Sequence, residues 1–257
     1  MIDIEVKDAK ILGPIRLIGI NGKIGNGKDT VGKIIQYLTS QEAIVKGSFS
    51  DCEKFGYAYD VNWEIKKFAG KLKTIASLLT GIPVDKFEDQ EFKKTNLSDE
   101  WSTVSGLSTR HKVRKDMTVR DLLQKLGTEC MRNCLHENVW VNALFADYKR
   151  PSHWENRFYD EVNKKGLAGR EEVWGDYPNW IITDMRFPNE MEAIVARGGI
   201  TIRVVRPDLH SFNSMLLSHA SERALDNAKF DYEIINNGSL EDLVVKVRDI
   251  LIKERIL

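Results

Sequence analysis

A glycine-rich turn placed between an apolar run and an amphipathic helix constrains this chain more than any other feature. Ile15-Arg-Leu-Ile-Gly-Ile20 has the β-favouring composition of a buried strand. Gly22-Lys-Ile-Gly-Asn-Gly27-Lys28-Asp29-Thr30 follows at once, and Val31, Ile34, Ile35 and Leu38 then recur at helical spacing. A strand that runs into G-x4-G-K and opens a helix is the pattern of a phosphate-binding loop, or P-loop. Its glycines let backbone N–H groups wrap a phosphate, the helix points its positive end inward, and Lys28 neutralises phosphate oxygens.

The same strand-then-helix rhythm continues. Trp63 to Phe68 alternates, and Leu72, Ile75, Ala76 and Leu79 recur helically up to Gly81 and Pro83. Thr118 and Asp121 form a capping box ahead of an apolar stripe of Leu122, Leu123, Leu126, Cys130 and Cys134. A helix is predicted over Val139 to Tyr148, a buried strand ending in an acid over Trp180 to Asp184, and a helix over Glu190 to Arg197 stopped by Gly198-Gly199. Strands over Ile200 to Val205 and Tyr232 to Ile235 and a closing helix through Leu240, Leu243, Val244, Val247 and Leu251 complete the pattern. Alternating strands and helices imply right-handed crossovers, hence an α/β fold: a central parallel sheet with helices on both faces, three layers in all. Residues 85–117 and 149–179 break the rhythm, being long, charged and rich in Lys, Glu, Asn and Ser, and read as inserted acceptor-binding or lid segments. The expected organisation is one domain over 1–257, with a core of 13–84, 118–148 and 180–257.

Composition narrows the function. With 38 Lys plus Arg against 38 Asp plus Glu, the formal net charge is zero, which excludes a surface built as a whole to grip nucleic acid or anionic membrane. No apolar run approaches the roughly 18–20 residues of a membrane span, and the acidic start at Met1-Ile-Asp-Ile-Glu does not resemble a secretory signal, so a cytoplasmic protein is expected. Cys52, Cys130 and Cys134 are too few and too odd in number for a disulfide framework, and reduced, buried thiols are expected. Cys130 and Cys134 stand four apart with His136 nearby, but tetrahedral zinc needs ligands that no second cluster supplies.

Phosphoryl transfer asks a protein for alignment and for cations around the transferring group. Asp184, at the end of its strand, is placed like a Walker B acid that holds the water shell of Mg²⁺; the alternative is an acid capping the next helix. Arg186 follows it, Arg203 and Arg206 flank a strand, and Arg120 opens a helix; each is either a phosphate fork or an ordinary solvated charge. Asp29 stands where a metal-holding hydroxyl usually follows the loop lysine, with Thr30 one place later, as in the G-K-x-[ST] variant of nucleoside monophosphate kinases. No N-K-x-D base-reading motif is present, which argues against a GTPase, and no H-R-D loop is present to activate an alcohol. A nucleotide monophosphate, by contrast, is nearly a dianion at pH 7 and needs no general base.

Several segments in order resemble the bacteriophage deoxynucleoside monophosphate kinases, a branch of the P-loop kinases. They are Gly25-Asn-Gly-Lys-Asp-Thr30, Phe68-Ala-Gly-Lys-Leu-Lys73, Thr118 to Glu129 with Trp140, Ile182-Thr-Asp-Met-Arg-Phe-Pro-Asn-Glu190, Val204-Val-Arg-Pro207, His219-Ala-Ser-Glu222 and Asn236-Asn-Gly-Ser-Leu-Glu241. The resemblance implies transfer of the ATP γ-phosphate to a deoxynucleoside monophosphate with Mg²⁺, in the host cytoplasm, without stable nucleic-acid or membrane partners and with a homodimer left open as its assembly. On that reading Lys23, Gly25, Asn26, Gly27, Lys28, Asp29 and Thr30 take the donor phosphates, Asn236 borders the donor base, and Asp184 and Thr30 hold the metal, directly or through water. Lys71, Arg120, Gln124 and Arg186 face the acceptor, and Arg186 and Arg206 clamp the transferring group. Trp140 either stacks on the base or fills a core. His219 and Glu222 share a helical face and read as a local cap rather than a catalytic pair. Two rivals remain at this point: a dephospho-coenzyme A kinase, whose hydroxyl acceptor would need Asp29 or Asp184 as a base, and a P-loop module that binds ATP without transferring phosphate.

Overall fold

Five short strands assemble side by side in one direction around the strand that leads into the glycine-rich turn. In the computed structural model the residues described are 14–40, 48–50, 62–105, 113–156, 170–207 and 223–257; Cys52, His219 and Glu222 lie outside them. In chain order the elements are β1 (Leu17–Asn21), α1 (Lys28–Thr39), β2 (Glu64–Lys66), α2 (Gly70–Thr80), β3 (Thr103–Ser105), β4 (Val113–Lys115), α3 (Val119–Gln124), α4 (Val139–Phe145), β5 (Ser152–Asn156), β6 (Arg170–Trp174), β7 (Trp180–Ile182), α5 (Pro188–Val195), β8 (Ile200–Val205), β9 (Tyr232–Ile235) and α6 (Leu240–Lys253). They form two compact units, Met1–Lys66 with Phe145–Leu257, and Lys67–Leu144.

The first unit carries a five-stranded parallel sheet in the order β2-β7-β1-β8-β9. Ile18 of β1 lies opposite Ile181 on one side and Ile200 on the other. The winding reverses at β1, so the chain ends leaving β1, β7, β8 and β9 open a crevice at the carboxyl edge of the sheet. Side chains alternate across the strands. Ile18, Ile20, Ile181, Ile202, Val204 and Ile234 are buried in one cluster with Val31, Ile34, Ile35 and Leu38 of α1 and Leu243, Val247 and Leu251 of α6. On the other face α5 comes so close that a Cβ at Gly19 would stand 2.6 Å from Ile194 Cδ1. Each fully buried aliphatic side chain contributes about 1.5–3 kcal/mol, and this double-sided burial is why the central strands β1, β7 and β8 read as largely apolar runs while the edge strand β2 alternates. Ser239 and Asp242 close a capping box at the start of α6. A separate antiparallel hairpin pairs β5 with β6.

In the second unit α2 stops at Gly81, whose φ of 73° lets its N–H reach Ser77 O at 2.8 Å. Three 3₁₀ turns, Val84–Glu88, Phe92–Lys94 and Asp99–Trp101, lead to the β3–β4 hairpin, so the described part of 85–117 is structured rather than an open loop. Phe87 is fully buried with Ala76, Val119 and Leu122. The Thr118–Asp121 capping box forms as the sequence predicts. The stripe that follows it forms only in part: Leu122 is buried and Leu123 and Leu126 pack against the Phe87 cluster, but its cysteine end does not. After Gln124 the helix winds as a π-helix over Lys125–Leu135, whose turns hold more residues than the 3.6 assumed, and Cys130 and Cys134 are exposed instead of buried. Among the described residues no group of three or more His, Cys, Asp or Glu is placed to hold a metal, and no helix is long and apolar enough to cross a membrane.

Candidate active site

The turn after β1 is built on backbone geometry that glycine permits. Gly25 and Gly27 have φ of 84° and 93°, left-handed values that a residue with a Cβ adopts only at a cost. Asn26 N–H closes the turn on Lys23 O at 3.1 Å, and α1 starts at Lys28. The positive N-terminal end of α1 thus follows directly on a glycine-rich turn, the arrangement that accepts phosphate oxygens.

Long-range contacts lock this turn. Asn26 is 2% exposed and donates its side-chain Nδ2 to Val204 O of β8 at 2.8 Å. Asn236, following β9, donates Nδ2 to Asn26 O at 3.0 Å and its own N–H to Val205 O at 2.7 Å. A Cβ on Gly27 would stand 2.7 Å from Asn236 Nδ2. Asn236 therefore positions the loop. On the β7 side the Thr183 hydroxyl donates to Asp29 Oδ1 at 2.8 Å, which orients the carboxylate next to the loop lysine. Gly32 lets α1 settle here, since a Cβ on it would lie 2.8 Å from Thr183 Cγ2.

Asp184 and Arg186 lie half-buried on the connection from β7 to α5. The connection is held from two sides: Asn21 Nδ2 donates to Met185 O at 2.8 Å, and the buried Glu190 carboxylate accepts the N–H groups of Arg186 at 2.7 Å and Phe187 at 3.1 Å. A cavity of about 230 Å³ opens beside the loop, with Lys23, Asn26, Arg186, Arg203 and Asp226 in its wall. Lys23 Nζ stands 3.6 Å from Asp226. Arg203 donates to the carbonyls of Leu225 and Asp226 and lies over the Phe230 ring, so it shapes that wall from within the fold. Arg206 is exposed, one residue past β8 at the same edge of the sheet, outside this wall. The structure thus gathers the loop, Asp184, Arg186 and Asn236 at the carboxyl ends of β1, β7 and β9.

The other sequence-predicted residues belong to the second unit. Lys71 is half-buried in the first turn of α2, and Arg120 and Gln124 lie on α3 with Gln124 exposed. Trp140 is 6% exposed and donates its indole N–H to Gly127 O at 2.9 Å, so the ring is core and ties α4 to the π-helical turn. Sequence reasoning passed over a basic group here. Lys73 Nζ is 2.5 Å from Glu88 Oε1 and Lys67 Nζ is 3.3 Å from Glu88 Oε2. Burial raises the Glu88 pKa, but the hydrogen bond and charge of Lys73, with Lys67, outweigh it and hold the carboxyl below its ordinary value. The only signal in the sequence is the lysine density of 66–73 and 93–94.

A family model described as deoxynucleotide monophosphate kinase matches residues 84–247, more than half of the chain. The deoxynucleotide monophosphate kinase of Enterobacteria phage T4 is 30% identical over 156 residues, 61% of this chain and 48% of the relative. That of Escherichia phage RB69 is 27% identical over 156 residues, 61% of this chain and 47% of the relative. The chain thus aligns with about half the length of both. The deoxynucleoside-5'-monophosphate kinase of Escherichia phage T5 is 22% identical over 251 residues, covering 86% of this chain and 89% of the relative.

Proposed function

Since the chain belongs to the deoxynucleotide monophosphate kinase family, we propose that it transfers the γ-phosphoryl group of ATP to a deoxynucleoside monophosphate, giving a deoxynucleoside diphosphate and ADP, and that residues 1–257 serve this one reaction in the cytoplasm. The observation that carries the reading is the loop itself, which lies before the stretch matched by the family model. Two glycines at positive φ, a buried Asn26 pinned to β8 and a lysine at the first residue of α1 make a cradle for the donor phosphates.

In this reading Gly25, Gly27 and Thr30 offer backbone N–H groups while Asn26 holds the turn in shape, Lys28 and Lys23 offset donor charge, and Arg186 and Arg206 hold the transferring phosphoryl group between donor and acceptor oxygens. The acceptor's phosphate oxygen is already ionised at pH 7, so no side chain has to remove a proton from it. Lys71, Arg120 and Gln124 take the acceptor, while Trp140 serves by fixing the turn at Gly127. Magnesium fits the oxygen donors at this edge, where Asp184 and Thr30 would hold it, directly or through water, beside the oriented Asp29 carboxylate. When bound, it neutralises charge on the donor phosphates.

The test is ADP formation from ATP and Mg²⁺ with each deoxynucleoside and ribonucleoside monophosphate, and with dephospho-coenzyme A in parallel. Stimulation by a deoxynucleotide, abolished in Lys28→Ala, is expected. Activity with dephospho-coenzyme A alone, or none at all, would replace the reading by one of its two rivals.

A further inference from the structure

The second unit gathers more positive charge around Glu88 than that carboxylate balances. Lys67, ahead of α2, and Lys73, on α2 and only 8% exposed, occupy its two oxygens. Arg120 of α3 reaches towards the same place, with its guanidinium 3.4 Å from Gln90 Oε1. Lys93, on the 3₁₀ turn between them, faces Lys73, Arg120 and Lys67 as well as Glu88. Two neighbouring groups are engaged elsewhere, Lys94 with Glu91 at 2.7 Å and Asp121 in the Thr118 cap, while Asp89 accepts the N–H groups of Glu91 and Phe92 and is a second carboxylate that feels the charge of Lys93. Among the described residues neither Lys93 nor Arg120 is within ion-pair distance of a carboxylate. Burial, then repulsion by Lys73 and its neighbours, brings the Lys93 pKa down to about 8. Four cations, two on Glu88, Lys93 between Glu88 and Asp89, and Arg120 beside Lys93, share two carboxylates, and half-buried cations left in excess are costly unless an anion joins them.

We propose that Lys67, Lys73, Lys93 and Arg120 bind one dianionic phosphate group, and that Glu88 is its built-in competitor, holding the lysines when the group is absent and releasing them when it binds. Taking that group to be the acceptor's phosphate rests on the kinase reading. The competitor role has a consequence that plain structural support lacks: removing the negative charge of Glu88 tightens anion binding. A phosphate monoester is dianionic above a second pKa of about 6, and Lys93 loses its charge above about 8, so binding is strongest between those values.

The experiment is equilibrium calorimetry on the full chain without ATP, titrating dAMP, dGMP, dCMP, dTMP and inorganic phosphate at pH 7 and pH 9. At pH 9 Lys93 is charged in roughly one molecule in ten, so the wild-type protein should bind about tenfold more weakly than at pH 7. Lys93→Arg should keep its affinity at pH 9, Lys93→Met should bind weakly at both, and Glu88→Gln should bind more tightly, on the order of tenfold. Glu88→Gln leaves Lys73 buried without its partner, so its melting temperature is followed as well, and phosphate should raise it more than it raises the wild type. Weaker binding in Glu88→Gln, or the same loss at pH 9 in Lys93→Arg as in wild type, would overturn the proposal. Turnover of a deoxynucleotide with binding unmoved in all three variants would also overturn it and leave the kinase reading intact. Inorganic phosphate binding that follows the expected order, without turnover of any nucleotide, would uphold the site and remove the kinase reading.

Discussion

Replacing Gly27 by alanine tests whether the loop is held by Asn236 as the structure implies. Two costs add. Alanine at φ 93° sits in the left-handed region, which costs an L-residue about 1–2 kcal/mol. Its Cβ would also stand 2.7 Å from Asn236 Nδ2, and moving that amide away gives up its hydrogen bond to Asn26 O, a loss of about 1 kcal/mol net. Gly27→Ala should therefore destabilise by about 2–3 kcal/mol and Asn236→Ala by about 1 kcal/mol. The hydrogen bond can be lost only once. In Gly27→Ala/Asn236→Ala the total should stay near 2–3 kcal/mol, short of the additive sum by about 1 kcal/mol. Urea unfolding followed by tryptophan fluorescence measures all four proteins, and thermal midpoints should fall by about 2–4 °C per kcal/mol in a chain of this size. Strict additivity would show that Asn236 and Gly27 do not share an interaction, and a neutral Gly27→Ala would remove the backbone argument too.

Trp140→Phe should cost about 1–2 kcal/mol, because Gly127 O is left without its buried donor, while deoxynucleotide preference in the ADP assay stays as in wild type; a large change in acceptor KM with unchanged stability would return the ring to the substrate. Glu190→Gln should destabilise by about 2 kcal/mol and lower kcat, since two charge-assisted bonds from Arg186 and Phe187 N–H are weakened, as steady-state kinetics and urea unfolding of the variant would show. The Asp121 carboxyl is held below its ordinary value, first by the Thr118 backbone N–H and then by the Thr118 hydroxyl. Its contribution is full above an unfolded carboxyl pKa of about 4 and is lost as pH falls through the lower folded value, so Asp121→Asn should remove part of the acid sensitivity of unfolding below about pH 4.

The parts of the fold that were legible are those decided by neighbours in sequence. Ile200–Val205 and Tyr232–Ile235 are strands at the residues their apolar runs mark, and α2 ends where Gly81 permits a left-handed turn. The Thr118–Asp121 cap is likewise a contact between residues three apart. The π-helical winding of Lys125–Leu135 is different, because what favours it is remote: Trp140 ties down Gly127 from thirteen residues away, and a Cβ at Gly127 would lie 2.8 Å from Leu72 Cδ2. A stripe drawn at 3.6 residues per turn therefore carried Cys130 and Cys134 into a core they do not enter. In 85–117 the abundance of charge hid one fully buried side chain, Phe87, that organises three short turns.

The site divides along the same line, for a chemical reason. A donor phosphate is met by successive N–H groups of one continuous turn, so the residues that touch it must be adjacent, and glycine and lysine spacing is enough to find them. What fixes that turn is distant: Val204 lies 178 residues from Asn26, Asn236 lies 210 from it, and Thr183 lies 154 from Asp29. The basic group of the second unit has no backbone signature, since Lys67 with Lys73, Lys93 and Arg120 come from three separate segments and acquire a meaning only around Glu88. Such a group is found by charge balance rather than by spacing. Four cations sharing the Glu88 and Asp89 carboxylates are an incomplete electrostatic arrangement in the protein alone, and it is this imbalance on which the proposed phosphate group rests.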